Sequence, residues 1–346
     1  MATAVDKTQI AARRLDQSEF HTLMGIQVLG TGASVPDEIV HNDDLSALGY
    51  DADWIVQRTG IHERRRAPAG MATSDLALAA AQKCLEQAKV DAGDIDLILV
   101  ATMTPDTRMP STACHLQRKL GATAASLDLN AACAGFMYGL ITAAQFVKTG
   151  SSKCALVVGA DIMSQTVNPA DKKTYPLFGD GAGAVLLAPG QKEQGLVSYT
   201  LGSDGNGADL LCIPAGGTQE PITAQGLLDN RQFIYMDGRP VFKWAVRLVT
   251  DSIRSALVHA NLDVDDIDRV VLHQANIRII HAIANELGID RGKLVVNLNR
   301  YGNTSAASIP LALDESVREN PIKAGELVLM SGFGAGLSWG TALFRW

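Results

Sequence analysis

Two separate stretches of the chain follow the same order of features, and this repeat constrains the fold more than any single motif. Residues 94–105 (DIDLILVATMTP) resemble residues 266–277 (DIDRVVLHQANI), and each is followed by a helix-like run that ends in Leu-Gly. Next come residues 126–136 (SLDLNAACAGF) and residues 295–307 (VVNLNRYGNTSAA), each followed by an apolar helix-like run and a strand-like run. We interpret this order as a duplicated α/β unit. The alternative is that α/β proteins look alike locally.

Strand-like apolar runs alternate with helix-like runs along the chain. Residues 74–90 and 242–262 have helical periodicity, and Ser74 is the predicted N-cap of the first helix. Uninterrupted apolar runs predict buried strands at 96–102, 154–160, 184–189, 269–274 and 326–332. This alternation predicts an α/β protein with a mostly parallel sheet and helices on its faces.

Composition narrows the function classes. The net charge of −7 at pH 7 argues against general nucleic-acid binding, which requires a basic surface. No apolar run approaches the roughly 20 residues of a membrane-spanning helix. Five cysteines without a CxxC pair or a signal peptide indicate reduced thiols in the cytoplasm. Residues 1–24 precede the regular pattern and lack an apolar signal core, so we expect a loose extension there.

Cys133 lies where a strand-like run gives way to a helix-like one. The apolar stripe of residues 136–147 places it at a helix N-terminus, where unpaired N–H groups and the helix dipole favour a thiolate. Gly150 is the predicted C-cap. The neighbours that leave room for a substrate are Ala131, Ala132, Ala134 and Gly135. A free cysteine can also be an ordinary core residue, as we expect for Cys84, Cys114, Cys154 and Cys212.

His273 and Asn303 are the candidate partners of Cys133. His273 follows an apolar strand, and the carboxyl ends of strands carry the active sites of α/β folds, but a structural histidine fits there as well. Asn303 lies in a Gly-Asn turn, where asparagine is common for structural reasons. Together they could donate hydrogen bonds to one carbonyl oxygen and stabilise an enolate. A duplication would bring both loops to Cys133 at a pseudo-twofold axis, and residues 331–340 (SGFGAGLSWG) could add backbone N–H groups.

Competing motifs do not fit their context. Residues 179–184 (GDGAGA) precede a strand, whereas a dinucleotide-binding fingerprint follows one. The seven histidines lack metal-ligand spacing, and no phosphate-binding loop ending in Gly-Lys-Ser/Thr occurs. We therefore predict no metal and no permanently bound cofactor.

Seven motifs, in order, resemble those of β-ketoacyl-acyl carrier protein synthase III, a condensing-enzyme family of the thiolase-like superfamily. They are GTGASVPDEIVHNDDL, DADWIVQRTGIHERR, DLNAACAGF, LFGDGAGAVLL, LHQANIRII, YGNTSAASIP and GFGAGLSWG. The resemblance implies an α/β fold of duplicated thiolase-like βαβαβαββ halves in α-β-α-β-α layers. A first half over 25–194 would carry the cysteine, and a second half over 195–346 the histidine and asparagine.

The resemblance implies an acyltransferase with a Cys-His-Asn active site at Cys133, His273 and Asn303. Acyl-CoA would acylate the cysteine, and malonyl-acyl carrier protein would then lose carbon dioxide. The resulting carbanion would attack the acyl group and give 3-oxoacyl-acyl carrier protein, which initiates type II fatty acid synthesis. The expected oxyanion donors are the backbone N–H groups of Cys133 and Ala335, the latter at a position where the family often has glycine.

Matching motifs imply further contacts. The expected CoA-binding residues are Trp54, Arg58, Lys172 and Asn276, with Lys172 in place of an arginine that could stack on a base. The expected carrier-protein docking residues are Gln274, Ala275, Asn276, Ile277, Arg278 and Lys243. The expected acyl pocket contains Phe242 and Met109, and Met109 would reach it across a homodimer. The primer length stays open, with acetyl as one candidate.

Two other functions remain open from the sequence. A related enzyme of secondary metabolism would keep the fold but use another acceptor, such as CoA or a small amine. A thiolase-like protein without activity would only bind a partner, although the presence of all three catalytic residue types argues against it. The acceptor preference separates the first two functions, and turnover with any acceptor excludes the third.

Overall fold

Two five-stranded sheets form the framework of the computed structural model, which describes residues 19–49 and 51–346. The first part of the chain forms these elements: β1 (His21–Met24), β2 (Ile26–Ser34), β3 (Glu38–His41), α1 (Ala52–Thr59), β4 (Glu63–Arg66), α2 (Thr73–Ala88), β5 (Leu97–Ala101), α3 (Thr112–Leu120), β6 (Ala125–Leu129), α4 (Gly135–Lys148), β7 (Ala155–Ile162) and β8 (Asp180–Pro189). The second part forms β9 (Gly195–Ser203), β10 (Leu211–Cys212), α5 (Ala224–Leu228), β11 (Tyr235–Met236), α6 (Gly238–Ala260), β12 (Arg269–Leu272), α7 (Ile277–Leu287), α8 (Leu298–Tyr301), α9 (Ser308–Glu319), β13 (Leu327–Gly334) and β14 (Ser338–Arg345).

Both sheets are mixed, so the prediction of a mostly parallel sheet is wrong. The first sheet has the order β2-β8-β7-β5-β6. Its described pairs β5-β6 and β5-β7 are parallel, and β2-β8 and β7-β8 are antiparallel. The second has the order β1-β9-β14-β13-β12, in which only β12 and β13 are parallel. The physical reason is that each half ends in two consecutive strands without an α-helical crossover, and such strands pair antiparallel.

The helices complete five layers. Helices α4 and α9 pack between the two sheets, where Phe136, Leu140, Ile309 and Leu313 belong to one buried apolar cluster. Helices α2 and α3 cover the outer face of the first sheet, and α6 and α7 cover the outer face of the second. The layered α-β-α-β-α fold is therefore confirmed. In the second half, the third strand of the βαβαβαββ order is reduced to a single bridge between Val270 and Leu294.

The two halves also share local contacts. The Asp96 N–H donates to the Cys154 carbonyl at 3.1 Å, and the Asp268 N–H donates to the Leu327 carbonyl at 3.0 Å. Each carboxylate accepts a hydrogen bond in return, from the N–H of Cys154 and of Leu327 respectively. Equivalent aspartates thus tie equivalent strand ends together, which supports a true duplication over a chance likeness.

The N-terminal boundary needs a correction. Residues 21–24 form strand β1 and pair antiparallel with β9, with His21 opposite Tyr199 and Met24 opposite Gly195. They belong to the second sheet, so the expectation of a loose extension is wrong for these residues. Residues 1–18 of the expected extension lie outside the described residues.

Two predicted helix caps also lie elsewhere. The N-cap of α2 is Ala72, whose N–H donates to the Asp75 carboxylate, whereas Ser74 lies within the first turn. The C-cap of α4 is Thr149, and Gly150 follows it in a left-handed conformation.

Within the part of the chain that the structure describes, no helix combines the length and the apolar character needed to cross a bilayer.

Candidate active site

The two halves meet at two equivalent turns. Cys133 lies in the 3-10 turn Ala132–Ala134 directly before α4, and the 3-10 turn Ser305–Ala307 lies directly before α9. Each turn begins with a non-glycine residue at positive φ, 46° at Ala132 and 52° at Ser305. The Cys133 thiol donates a hydrogen bond across the interface to the Ser305 hydroxyl at 3.5 Å. The structure therefore places Cys133 beside the loop that sequence duplication paired with it.

Burial dominates the protonation of Cys133. Cys133 is only 6% exposed. Burial raises the pKa of its thiol to about 12, while the hydrogen bond with Ser305 opposes this shift. The prediction that the helix N-terminus favours a thiolate is therefore wrong for the resting site. The physical reason is that desolvation of a buried charge exceeds what a helix terminus and one hydroxyl supply. Burial therefore favours the thiol form of Cys133.

His273 lies immediately after β12, and its N–H donates to the Ser331 carbonyl at 2.9 Å. Its Nδ1 atom lies 2.6 Å from the Ser308 hydroxyl, and its ring contacts Phe333 edge-on with centroids 5.1 Å apart. Burial lowers the pKa of His273 to about 3, so the imidazole is neutral at pH 7. The site thus presents a fixed, uncharged histidine.

Asn303 is held by both its backbone and its side chain. Its N–H donates to the Leu177 carbonyl at 2.8 Å, and its Oδ1 accepts from the Ser305 N–H at 2.9 Å. Because the two ends of a carboxamide point in opposite directions, this contact leaves the NH₂ group as the donor that Asn303 can offer to a substrate.

A cavity of about 200 Å³ brings the three residues together. Cys133, His273 and Asn303 all line it, along with apolar side chains such as Phe333. Gly334 lines it too, and a Cβ atom there would lie only 2.7 Å from the Cys133 backbone nitrogen. The backbone that leads into the predicted donor at Ala335 therefore passes directly beside Cys133.

The expected CoA contacts separate into two places. Arg58 and Trp54 lie on α1, with the guanidinium 5.4 Å from the indole centroid. Asn276 lines the Cys133 cavity and donates from Nδ2 to the Arg58 carbonyl at 3.1 Å, which places α1 beside that cavity. Lys172 instead lines a second groove of about 550 Å³ together with Tyr175. CoA binding by these residues stays a prediction.

Gln274 does not belong to a docking surface, which corrects that prediction. Its side chain is buried, donates to the carbonyls of Leu272 and Val295, and accepts from the Asn297 N–H. Gln274 therefore uses its side chain for hydrogen bonds to the backbone of Leu272, Val295 and Asn297, and no exposed part of it can contact a partner.

The remaining expected docking residues reach the surface to different degrees. Ala275, Asn276 and Ile277 are half-buried, whereas Arg278 and Lys243 are exposed. The exposed cations are therefore the residues of this set that a partner can contact fully.

The two expected pocket residues also differ in position. Phe242 lines the Cys133 cavity, whereas Met109 is 86% exposed and does not line the cavity of its own chain. The contact of Met109 with an acyl pocket across a homodimer stays a prediction.

Sequence reasoning missed three polar residues next to the catalytic candidates. Ser305 and Ser308 contact Cys133 and His273, and both stand within the quoted motif YGNTSAASIP. Asp161 is a fully buried carboxylate at the end of β7 that accepts from the Ala306 N–H at 3.1 Å and thereby holds the Ser305 turn. Burial raises the pKa of Asp161. Among the described residues, no group of histidine, cysteine and carboxylate side chains could hold a metal ion.

Two α/β halves that meet at a buried cysteine, with a histidine and an asparagine from the second half, define a condensing enzyme of the thiolase-like class. Residues 127–205 match the family model 3-oxoacyl-[acyl-carrier-protein] synthase III, and residues 257–346 match its C-terminal model. A relative from Rhodopirellula baltica named β-ketoacyl-[acyl-carrier-protein] synthase III is 56% identical, with the alignment covering 94% of this chain and 99% of the relative. The chain belongs to the β-ketoacyl-acyl carrier protein synthase III family of acyltransferases.

Solved structures agree with this assignment. The 3-oxoacyl-[acyl-carrier-protein] synthase III of Aquifex aeolicus is 39% identical with a TM-score of 0.86, over 93% of this chain and all of that one (100%). The priming β-ketosynthase of the R1128 polyketide pathway is 37% identical with a TM-score of 0.85, over 94% of this chain and 97% of that one. The fold is therefore shared with a 3-oxoacyl-[acyl-carrier-protein] synthase III and with a priming enzyme of a polyketide pathway.

Proposed function

We propose that this enzyme condenses an acyl-CoA primer with malonyl-acyl carrier protein and so initiates type II fatty acid synthesis in the cytoplasm. The observation that carries the proposal is the single cavity in which Cys133 faces a neutral His273 and an oriented Asn303. A thiol nucleophile beside two uncharged hydrogen-bond donors suits a reaction with one acylation step and one enolate step.

In the first step, the Cys133 sulfur attacks the thioester carbonyl of acyl-CoA. A new carbon–sulfur bond forms, the bond to the CoA sulfur breaks, and the thiol proton ends on that sulfur. The negative oxygen of the intermediate would accept from the backbone N–H groups of Cys133 and Ala335. The close approach of Gly334 to Cys133 supports this role, because it brings the two backbone segments together.

In the second step, the malonyl thioester carbonyl accepts hydrogen bonds from His273 and Asn303. Carbon dioxide leaves, the electron pair forms an enolate, and its carbon attacks the acyl-Cys133 thioester. The Cys133 sulfur leaves as a thiolate and regains a proton from solvent. Neutral donors suit this step because they stabilise a developing oxyanion without an ion pair to the malonyl carboxylate, which must lose its charge.

Substrate and partner assignments rest on the cavity and on exposed cations close in sequence to residues that line it. A volume of about 200 Å³ suits a short primer. The exposed cations Arg278 and Lys243 suit an acidic carrier protein, which the net charge of −7 would otherwise repel. A homodimer is supported by the edge strand β6, whose Leu127 is 40% exposed, and by the exposed Met109.

A related reaction in secondary metabolism is the second candidate. The observation that favours it is the likeness to the priming β-ketosynthase of a polyketide pathway, which nearly equals the likeness to the fatty acid enzyme. The two functions differ in primer and acceptor, while the chemistry at Cys133 is the same.

Intact-protein mass spectrometry with a series of acyl-CoA primers tests the proposal. We expect one acyl group per chain, on Cys133, and its loss in Cys133→Ala but not in Cys114→Ala, which removes an exposed cysteine. Acylation at another cysteine, or none with any primer, would refute the proposal.

The acceptor is tested by comparing malonyl-acyl carrier protein with malonyl-CoA. We expect the carrier protein to be preferred and Arg278→Ala to raise its KM, whereas Arg118→Ala, which removes an exposed arginine on α3, should not. Equal use of malonyl-CoA would favour the second candidate.

A further inference from the structure

The hydrogen bond between Ser308 and His273 determines which nitrogen of the imidazole can act on a substrate. Ser308 Oγ lies 2.6 Å from His273 Nδ1, and both residues are almost fully buried, at 1% and 2% exposed. The edge contact with Phe333 fixes the ring plane. Nδ1 is therefore engaged by the protein, and Nε2 is the nitrogen available in the cavity.

The imidazole is uncharged, so it carries a single ring proton. If that proton is on Nδ1, Ser308 accepts it and Nε2 can only accept a hydrogen bond from a substrate. If the proton is on Nε2, Ser308 donates to Nδ1 and Nε2 becomes a donor. The direction of the hydrogen bond between Ser308 and His273 thus decides whether His273 serves as a base or as an oxyanion donor.

The surroundings of Ser308 favour donation by its hydroxyl. Within the described residues, His273 is the hydrogen-bond partner of the Ser308 side chain, and no other acceptor shares it. If Nδ1 donated instead, the buried hydroxyl hydrogen would have no acceptor, and an unpaired buried donor destabilises the folded state. The arrangement in which Ser308 donates leaves no buried hydrogen unpaired.

We propose that Ser308 is a positioning residue whose hydroxyl donates to Nδ1 of His273 and thereby holds the ring proton on Nε2. This inference rests on the proposed function, in which His273 donates to the malonyl thioester carbonyl. Ser308 acts through His273 and touches no substrate itself. It affects the enolate step and leaves the acylation of Cys133 unaltered.

The tautomer can be measured directly by ¹⁵N NMR of histidine-labelled enzyme at pH 7, without substrate. We expect the His273 signals to show a protonated Nε2 in the wild type, and a mixture of tautomers in Ser308→Ala. Ser308→Thr keeps a hydroxyl and should restore the Nε2–H form. Ser316→Ala is the matched control, since it removes another buried serine hydroxyl of α9 that bonds Leu313 and Arg269.

Partial reactions separate positioning from packing. We expect Ser308→Ala to slow condensation by roughly 10-fold or more, against the 10²–10³-fold typical for loss of an oxyanion donor, and to change Cys133 acylation less than twofold. Ser316→Ala should leave both rates near those of the wild type.

Three results would overturn the inference. They are a wild-type His273 protonated on Nδ1, a Ser308→Ala enzyme with unchanged tautomer and condensation rate, or an equal loss of acylation and condensation. A wild type that neither acylates Cys133 nor condenses would refute the proposed function instead, and the NMR measurement would still decide the tautomer.

Discussion

The buried, neutral state of His273 makes the stability of the folded enzyme depend on pH. Burial lowers the pKa of this histidine from 6.5 to about 3 in the folded state. Between these values the unfolded chain binds a proton that the folded chain does not, so protonation favours unfolding. The contribution of neutral His273 to the free energy of unfolding is therefore fully present above pH 6.5 and is lost as the pH falls toward 3.

The size of this effect follows from the two pKa values. Between pH 7 and pH 5, proton binding to the unfolded histidine lowers the free energy of unfolding by about 2 kcal/mol, because each pH unit below 6.5 contributes about 1.4 kcal/mol. His273→Gln replaces the ring by an uncharged side chain that binds no proton. The variant should therefore lose about 2 kcal/mol less than the wild type over this interval, whatever its stability at pH 7.

Urea unfolding at pH 7 and pH 5, at one fixed protein concentration, measures the effect. The quantity compared is the change in the free energy of unfolding between the two pH values, in wild type, His273→Gln and the control His62→Gln, which replaces an exposed histidine. We expect the control to behave like the wild type. A wild type and a His273→Gln variant with the same pH dependence would refute the argument that His273 is neutral because it is buried.

Three further predictions concern packing around the site. Gly334→Ala should destabilise the enzyme by about 1–3 kcal/mol and slow acylation, because its Cβ would lie 3.0 Å from the Cys133 Cβ. Gly93→Ala is the control, because an added Cβ there would have no atom within 4 Å. Equal effects of the two substitutions would contradict the predicted clash with Cys133. Arg64→Met should cost about 3 kcal/mol or more in urea unfolding, because the buried guanidinium donates to three oxygens that would lose their partner. Asn276→Ala should cost about 1 kcal/mol, since its Oδ1 caps α7; an unchanged unfolding midpoint would show that the cap is dispensable.

The repeat was the most informative part of the sequence, because it states a relation between distant segments. The strand Leu97–Ala101 and the strand Arg269–Leu272 lie where the apolar runs predicted them, and the aspartates before them make equivalent contacts. Strand direction was not predictable in the same way. An apolar run reports burial on both faces, which a central antiparallel strand such as Asp180–Pro189 has as well. The strand His21–Met24 escaped notice because it is short and lies at the edge of its sheet.

Site residues were predictable where a motif fixed them and unpredictable where tertiary burial decides. The loops made Cys133, His273 and Asn303 candidates, the family resemblance assigned them as a set, and the structure places them in one cavity. The pKa of Cys133 was predicted in the wrong direction, because a helix N-terminus is visible in the sequence and desolvation is not. The prediction that Gln274 belongs to a docking surface is wrong for the same reason. A polar residue in a loop motif is expected to be exposed, and the sequence does not show that the folded chain buries it.

The active site is best understood as an asymmetric use of a symmetric scaffold. Both halves present the same strained turn before a central helix, with Ala132 and Ser305 at matching positive φ. In the first turn the next residue is Cys133, the proposed nucleophile, whereas in the second turn it is Ala306, whose N–H donates to the buried Asp161 carboxylate. Because backbone strain of this kind persists only where the surroundings enforce it, its presence in both turns belongs to the fold and not to the chemistry. The chemistry comes from the side chains that differ between the halves, so replacing Cys133 should abolish acylation while leaving the turn intact.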